Sequence, residues 1–299
     1  MSAHNIPSKN HGDRIGLGIT YAVVGIACMS VLDSIAKLLT EGYSIWQLVF
    51  FRNFFGLLFV LAMLWQSGGL KSLRSEQPLL HGVRILFSLV ATFTFFTGLR
   101  YLPLAEAFAI TFAGPIFITA LSVPVLGEKV GARRWSAILI GLVGVVMILR
   151  PGSAVFQVEA LWPLTAAFGY AVVMLTTRKL TRRDSTLSIL FWTAFSSTLV
   201  TSLALPWNWT TPSSGDWGLF VLLGMAGSCT MFFMAQAYRH APAAVIAPFD
   251  YTILLWGIMF GWLIWQELPD PGIWPGVAVL VASGLYIIHR ETRRRVRPR

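Results

Sequence analysis

The chain has 299 residues, 56% of them apolar and only 12% charged. Soluble domains carry about 25% charged residues, so a soluble globular fold is excluded, and most of this apolar surface must face lipid or the inside of a membrane bundle. The net charge of +10 would suit a nucleic-acid partner, but its distribution points to a membrane surface instead.

In chain order, residues 1–14 form a polar tail without the short apolar core and small-residue cleavage site of a removable signal peptide. A spanning helix needs about 20 mainly apolar residues. Ten such segments are predicted, at 15–39, 45–66, 79–101, 103–126, 132–150, 157–180, 186–206, 216–239, 242–266 and 272–289. Short linkers with turn residues separate them: SGG at 67–69, LPL at 102–104, RPG at 150–152, TTPSSGD at 210–216 and PDPG at 269–272. In lipid the backbone must satisfy its own hydrogen bonds, so the segments are expected to be helices, in an all-α integral membrane protein. A basic tail, RETRRRVRPR, occupies 290–299. Cys28 and Cys229 lie in apolar runs, and neither a disulfide framework nor a metal-ligand spacing is visible. No metal, cofactor or nucleic acid is expected.

With the N-terminus placed in the cytoplasm, 18 of the 23 Lys and Arg residues fall on cytoplasmic segments and three (Lys37, Arg100, Arg150) on outer ones, while Arg52 and Arg84 lie within spans. This bias predicts that both termini are cytoplasmic, in a cell (inner) membrane. The basic tail then reads as an anchor beside anionic lipid.

The sequence repeats itself. A shift of 139 places Arg100 on Arg239, Pro103 on Pro242, Glu128 on Glu267 and Trp135 on Trp274. Earlier in the repeat a shift of 141 places Lys37 on Arg178, Ser44 on Ser185 and Phe50 on Phe191. Residues 15–150 and 151–289 therefore form two five-helix halves. Five is odd, so the second half is expected to be inverted, a plan that secondary transporters use with the site near the midplane.

Residues 99–152, beginning LRYLPLAEA, carry Pro115, a GEK turn at 127–129 and a Gly-rich segment ending in RPG. They resemble the EamA family of the drug/metabolite transporter superfamily. The segment from Tyr238, YRHAPAAVIAPFDY onward, is similar to the second repeat of that family, with QE in place of GE. The resemblance covers nearly the whole chain. It implies two inverted repeats and transport of a small organic solute, with amino acids, nucleotide-linked metabolites and vitamins all among the family's cargo. Glu106 and the Asp250–Tyr251 pair resemble the branch associated with metabolite uptake.

Charged side chains inside spans are functional candidates because each costs several kcal/mol unless it faces protein or water, with estimates from about 2.5 upward. Asp33 and Lys37 are four residues apart on one helical face, acid first, the favoured order for a pair. Two readings are open: Lys37 snorkels to the interface with Asp33 as its partner, or the two line an outer mouth. Arg52 is either a buried structural cation or part of the path. Glu106, in the first turn of its helix, is either a dipole-compensating acid or a ligand for solute or proton. Glu128 and Glu267 read as loop residues, and Arg84 as a rim anchor. Asp250 lies between Pro248 and Tyr251, where the proline frees a carbonyl and loosens the helix. Its repeat mate is the neutral Thr111. Asp250 is expected either to bind a cationic part of the solute or to carry a coupling proton. Phe112, Tyr170 and Tyr251 are the aromatic candidates for the path, among rings that include Phe93, Phe95, Phe96 and Trp256.

The expected function is secondary transport by alternating access, with solute and lipid as partners. The competing readings are a channel or scaffold subunit and a membrane enzyme without transport. The enzyme reading lacks a paired-His metal motif and a G-x-S-x-G elbow.

Overall fold

A computed structural model describes residues 10–66, 73, 75–127, 131–149, 158–241 and 243–296. The GEK residues Glu128 and Lys129, the RPG at 150–152 and the ends of both tails lie outside the described residues. All regular structure among the described residues is helical. The helices are α1 (Asn10–Leu39), α2 (Ile45–Gln66), α3 (Pro78–Tyr101), α4 (Leu104–Thr111), α5 (Gly114–Leu126), α6 (Ala132–Leu149), α7 (Leu161–Leu180), α8 (Thr186–Asn208), α9 (Asp216–His240), α10 (Ala243–Ile246), α11 (Ile253–Trp265) and α12 (Trp274–Val296). A 3-10 segment, Ala247–Thr252, joins α10 to α11. Seven helical runs are long and apolar enough to cross a bilayer, and three shorter apolar helices at 135–149, 249–265 and 271–286 accompany them. Large apolar side chains such as Leu139, Val143, Leu203 and Leu255 point outward, as a lipid-facing surface requires.

The two halves pack through each other. In the first half α1 lies along α9 of the second, and α7 of the second along α3 of the first. The pairs α2–α8, α6–α12 and α4–α11 cross between halves as well. Exchanging the halves turns α1–α9 into α7–α3 and returns α2–α8 and α6–α12 each to itself; the α4–α11 pair, between parts of the two interrupted spans, has no such counterpart among the main helix contacts of the described residues. The contact pattern of the long helices thus has the symmetry of the sequence repeat. Lipid is as apolar as leucine, so such helices associate through close packing rather than hydrophobic burial, and small residues carry it. At the α6–α12 crossing a Cβ added to Gly276 would stand 2.9 Å from the Gly144 carbonyl oxygen, and one added to Gly144 3.0 Å from that of Gly276.

Several repeat matches have a local cause. Ser44 accepts the amide of Gln47 at 3.2 Å, and Ser185 that of Ser188 at 3.0 Å, so both serines cap the N-termini of their helices. Gly127 and Gln266 close α5 and α11 in the left-handed conformation, with φ of 68° and 56°. Past the α11 cap, the Gln266 amide bonds the Trp262 carbonyl and the Glu267 amide the Gly261 carbonyl, each at 3.1 Å. This Schellman-like closure turns the chain sharply and aims Glu267 back over the bundle.

The fourth and ninth spans are both interrupted midway. In the fourth, Phe112 and Ala113 separate α4 from α5, and their amides reach back only three residues, to Ala109 and Ile110. Pro115 cannot donate the amide that would continue the ladder. In the ninth, Pro248 stands at the start of the 3-10 segment. At a repeat distance of 139, residues 111–113 correspond to 250–252, so the two interruptions occupy the same register.

Candidate functional site

At the two interruptions the halves meet. The rings of Phe112 and Tyr251, repeat mates, touch edge to face with centroids 4.8 Å apart. Tyr170 on α7 lies beside the break in the fourth span, where a Cβ on Gly114 would stand 3.9 Å from its ring. Asp250 is close enough to Tyr170, Tyr238 and Tyr251 for its charge to act on all three. Asp250 is exposed, and Tyr170 and Tyr238 are about half exposed, at 50% and 49%. One acid, three phenols and Phe112 therefore gather where both spans lose regular helix. Tyr238 was missed in the sequence, because an aromatic residue near the end of an apolar span looks like any interface ring.

One end of the bundle is tied together. Lys37 is 6% exposed. The structure pairs it not with Asp33 but with Glu267, 230 residues away. Its ammonium also donates to the Leu102 carbonyl at 3.0 Å and sits 4.8 Å from the Trp265 ring centroid. Glu267, read from the sequence as a loop residue, is in the loop but holds an ion pair. Glu106 accepts the amide of Asp270 at 3.0 Å. The Trp265 indole donates to Glu41 at 3.2 Å. Tyr43 donates to Asp216 at 2.6 Å, and Gln47 exchanges two bonds with the backbone of Thr210 at 2.8 and 3.0 Å. The ends of α1 and α3, the start of α4 and the loop after α11 thus form one closed lattice, with Thr40, Leu99, Leu102 and Leu104 buried beneath it.

Deeper in the bundle, Asp33 is 3% exposed, and its Oδ2 has no hydrogen-bond partner. Arg52 on α2 is near enough to act on it electrostatically. No ion pair within 4.0 Å joins them among the described residues. Arg52 instead donates to Thr92 of α3 at 3.1 Å and lies 5.8 Å from the Phe96 ring centroid.

The opposite end is held by groups that the sequence reading passed over. Asp184 accepts from His81 at 2.8 Å, Ser75 at 2.8 Å and the Glu76 amide at 3.0 Å. Burial pushes its carboxyl up, but these bonds outweigh burial and hold it below the usual carboxylate range. Arg84, expected at the rim, is buried and binds Thr177 at 2.8 Å and also Thr193, joining α3 to α7 and α8. Most of the eight path candidates fall at two places. Lys37 and Glu106 belong to the closed end, and Phe112, Tyr170, Asp250 and Tyr251 to the central break. Asp33 and Arg52 lie apart from both.

Interlocked five-helix halves with interrupted spans meeting at an acid and several rings define a multi-pass membrane carrier scaffold. The model of the EamA-like transporter family matches residues 16–150 and again 157–289. The chain belongs to that family, with one domain of it in each half. It is 29% identical over 278 residues to the S-adenosylmethionine uptake transporter of Rickettsia prowazekii, covering 92% of this chain and 94% of that one. It is 29% identical over 288 residues to the riboflavin transporter of Rhizobium johnstonii, with 95% of each covered. It is 27% identical over 279 residues to a pseudopaline exporter of Pseudomonas aeruginosa, covering 92% of this chain and 95% of that one. These relatives are transporters, not enzymes. A solved crystal structure 19% identical in sequence superposes with a TM-score of 0.59, covering 95% of this chain and 99% of its own, and shares the fold.

Proposed function

We propose that this chain is a secondary carrier that moves a small cationic metabolite with a flat ring, of the S-adenosylmethionine type, by alternating access between inverted halves. Both termini lie in the cytoplasm, a placement supported by the Lys and Arg bias. The closed end is then the outer mouth, and the central break is reached from inside. The observation that carries the reading is the cluster of Asp250 with Tyr170, Tyr238 and Tyr251. A carboxylate supplies the counter-charge for a sulfonium or ammonium group. Phenol rings hold a cation over their faces for about 0.5–2 kcal/mol each, and they stack on a purine as well. The relatives transport different solutes and differ in direction, so chemistry at this cluster is a better guide to cargo than overall similarity.

The test is flux of radiolabelled S-adenosylmethionine into proteoliposomes preloaded with the unlabelled compound. Saturable exchange is expected in the parent. Asp250→Asn should raise the half-saturating concentration roughly ten- to a hundredfold, since loss of one charge-assisted contact costs about 1.5–3 kcal/mol and about 1.4 kcal/mol is a factor of ten. Saturable riboflavin exchange with none of S-adenosylmethionine, or an Asp250→Asn protein that exchanges like the parent, overturns the assignment.

A further inference from the structure

A carboxylate in lipid needs either a partner or a proton. Asp33 has an oxygen with no hydrogen-bond partner and almost no exposure. Its neighbour one turn back, Ser30, is also fully buried, and its hydroxyl is likewise unpartnered. Among the described residues, one charged group acts on Asp33 across the helix interfaces, Arg52 from α2. From α3, the uncharged Thr92 and Phe96 hold Arg52. From α9, Gly227 abuts Leu32, and the Cys229 thiol lies near enough to act on Cys28, a turn and more back along α1 from Asp33. Helix α11 brings no charged side chain, and the 3-10 segment that also packs on α1 carries Asp250. Lys37, one turn on along α1, is committed to Glu267. An ionised Asp33 left this way would be a buried charge without a contacting partner, a state that costs several kcal/mol. A protonated Asp33 removes that cost.

We propose that Asp33 is a proton-binding site that couples solute movement to a proton gradient, with Arg52 alternating between Thr92 and Asp33. The inference rests on the carrier reading above. In the arrangement described here Asp33 holds a proton and Arg52 stays on Thr92. When the proton leaves to water, the carboxylate draws Arg52 off Thr92 into an ion pair, and α2 exchanges a tie to α3 for a tie to α1. One O–H bond breaks and one proton is released on one side of the membrane; the reverse step takes one proton from water on the other side. Because α1 also carries Lys37 of the closed end, the exchange of ties acts on the helix that must move for that end to open.

Two measurements test this. The first needs no solute: infrared difference spectra of the purified protein in lipid, recorded between neutral and acidic pH. The parent should show a protonated-carboxyl band that Asp33→Asn lacks and Asp250→Asn keeps. The second uses S-adenosylmethionine in proteoliposomes. Asp33→Asn should keep exchange at equal pH within about twofold and lose pH-driven accumulation at least tenfold, while Asp33→Glu retains it. Thr92→Val, which frees Arg52 for Asp33, should move the pH midpoint of driven uptake downward. Size-exclusion profiles and melting curves separate misfolding from loss of coupling. A parent protein without exchange of this solute overturns the substrate assignment and leaves the infrared test standing. An Asp33→Asn spectrum identical to the parent's, or driven uptake that survives in Asp33→Asn, overturns the proton site. So does accumulation that follows a sodium gradient in place of the proton gradient.

Discussion

Glu267→Gln should open the closed end. Lys37 holds three partners there: the Glu267 carboxylate, the Leu102 carbonyl and the Trp265 ring. The ammonium side chain is 7% exposed and the carboxylate 36%, so the pair is neither a surface bridge worth about 0–1 kcal/mol nor fully desolvated. Glu267→Gln removes one charge and leaves the other two contacts. The loss should be about 1–2 kcal/mol, in the range for a hydrogen bond to a charged group discounted for the wet side. At about 1.4 kcal/mol per factor of ten, the open form should gain roughly five- to thirtyfold over the closed one. Lys37→Met removes all three contacts and strands the Leu102 carbonyl, so its effect should be larger. The double mutant should fall short of the sum by about 1 kcal/mol, the coupling of residues in direct contact. Thr40, 1% exposed and bonded to the Lys37 carbonyl at 2.6 Å, reports the opening. With Cys28 and Cys229 replaced by serine, the rate at which a membrane-impermeant maleimide labels Thr40→Cys should rise in the order parent, Glu267→Gln, Lys37→Met. Labelling within twofold of the parent in all variants, with flux unchanged, refutes the latch and reduces Lys37–Glu267 to a staple between a helix and a loop.

Two further outcomes follow from the ends of the helices. Gln266 adopts a left-handed backbone that costs a side-chain-bearing residue about 1–2 kcal/mol, so Gln266→Gly should raise the melting temperature if Glu267 keeps its aim, read by thermal unfolding in detergent. Asp184→Ala strands Ser75, the Glu76 amide and His81 and should destabilise by about 1–3 kcal/mol. The Asp184 carboxyl lies below its unfolded value, so its stabilisation is full above about pH 4 and is lost as pH falls through the folded value; the acid side of the melting curve should flatten in the variant.

Much of this architecture is legible in the sequence. Ten apolar runs, the matches 139 and 141 residues apart and the proline beside Asp250 follow from hydropathy and spacing, because a bilayer imposes length and polarity directly on sequence. Boundaries were less so. Helix α12 runs to Val296 rather than stopping near 289, since arginine is a good helix former and a basic tail at a membrane surface gives the backbone no reason to break. The interruption of the fourth span at Phe112 has a signal in Pro115, three residues on, but the apolar residues around it give no boundary of their own. Pairings were the least legible. Lys37 has an acid one turn away in sequence and takes another 230 residues on, because the cap at Gln266 delivers Glu267 to the same end of the bundle while Asp33 lies a turn deeper. Asp184 and His81 were passed over for the same reason: their partnership exists only once α3 and α7 lie side by side.

The repeat also separates what a carrier needs twice from what it needs once. Alternating access requires a closure at each mouth but a single place for the solute. The residues of the closed end recur in the sequence: Lys37 has a basic mate in Arg178, and Glu267 an acidic mate in Glu128, which lies outside the described residues. The midspan acids do not recur. The mate of Asp250 is Thr111, and the shift of 141 places Asp33 on Met174. If all four acidic or basic positions were structural, duplication would have left them equally paired or equally eroded in both halves. Charges matched in sequence at the ends and single acids in the middle are the pattern expected if the ends serve as two gates and the middle as one shared pathway. The phenols divide the same way: Phe112 and Tyr251 are mates whose rings touch, yet only the second half supplies a hydroxyl there, next in sequence to Asp250. On the proposed assignment of Asp250 and Tyr251, that asymmetry would give the solute a direction in which to lie, within a scaffold whose long helices are exchanged by the repeat.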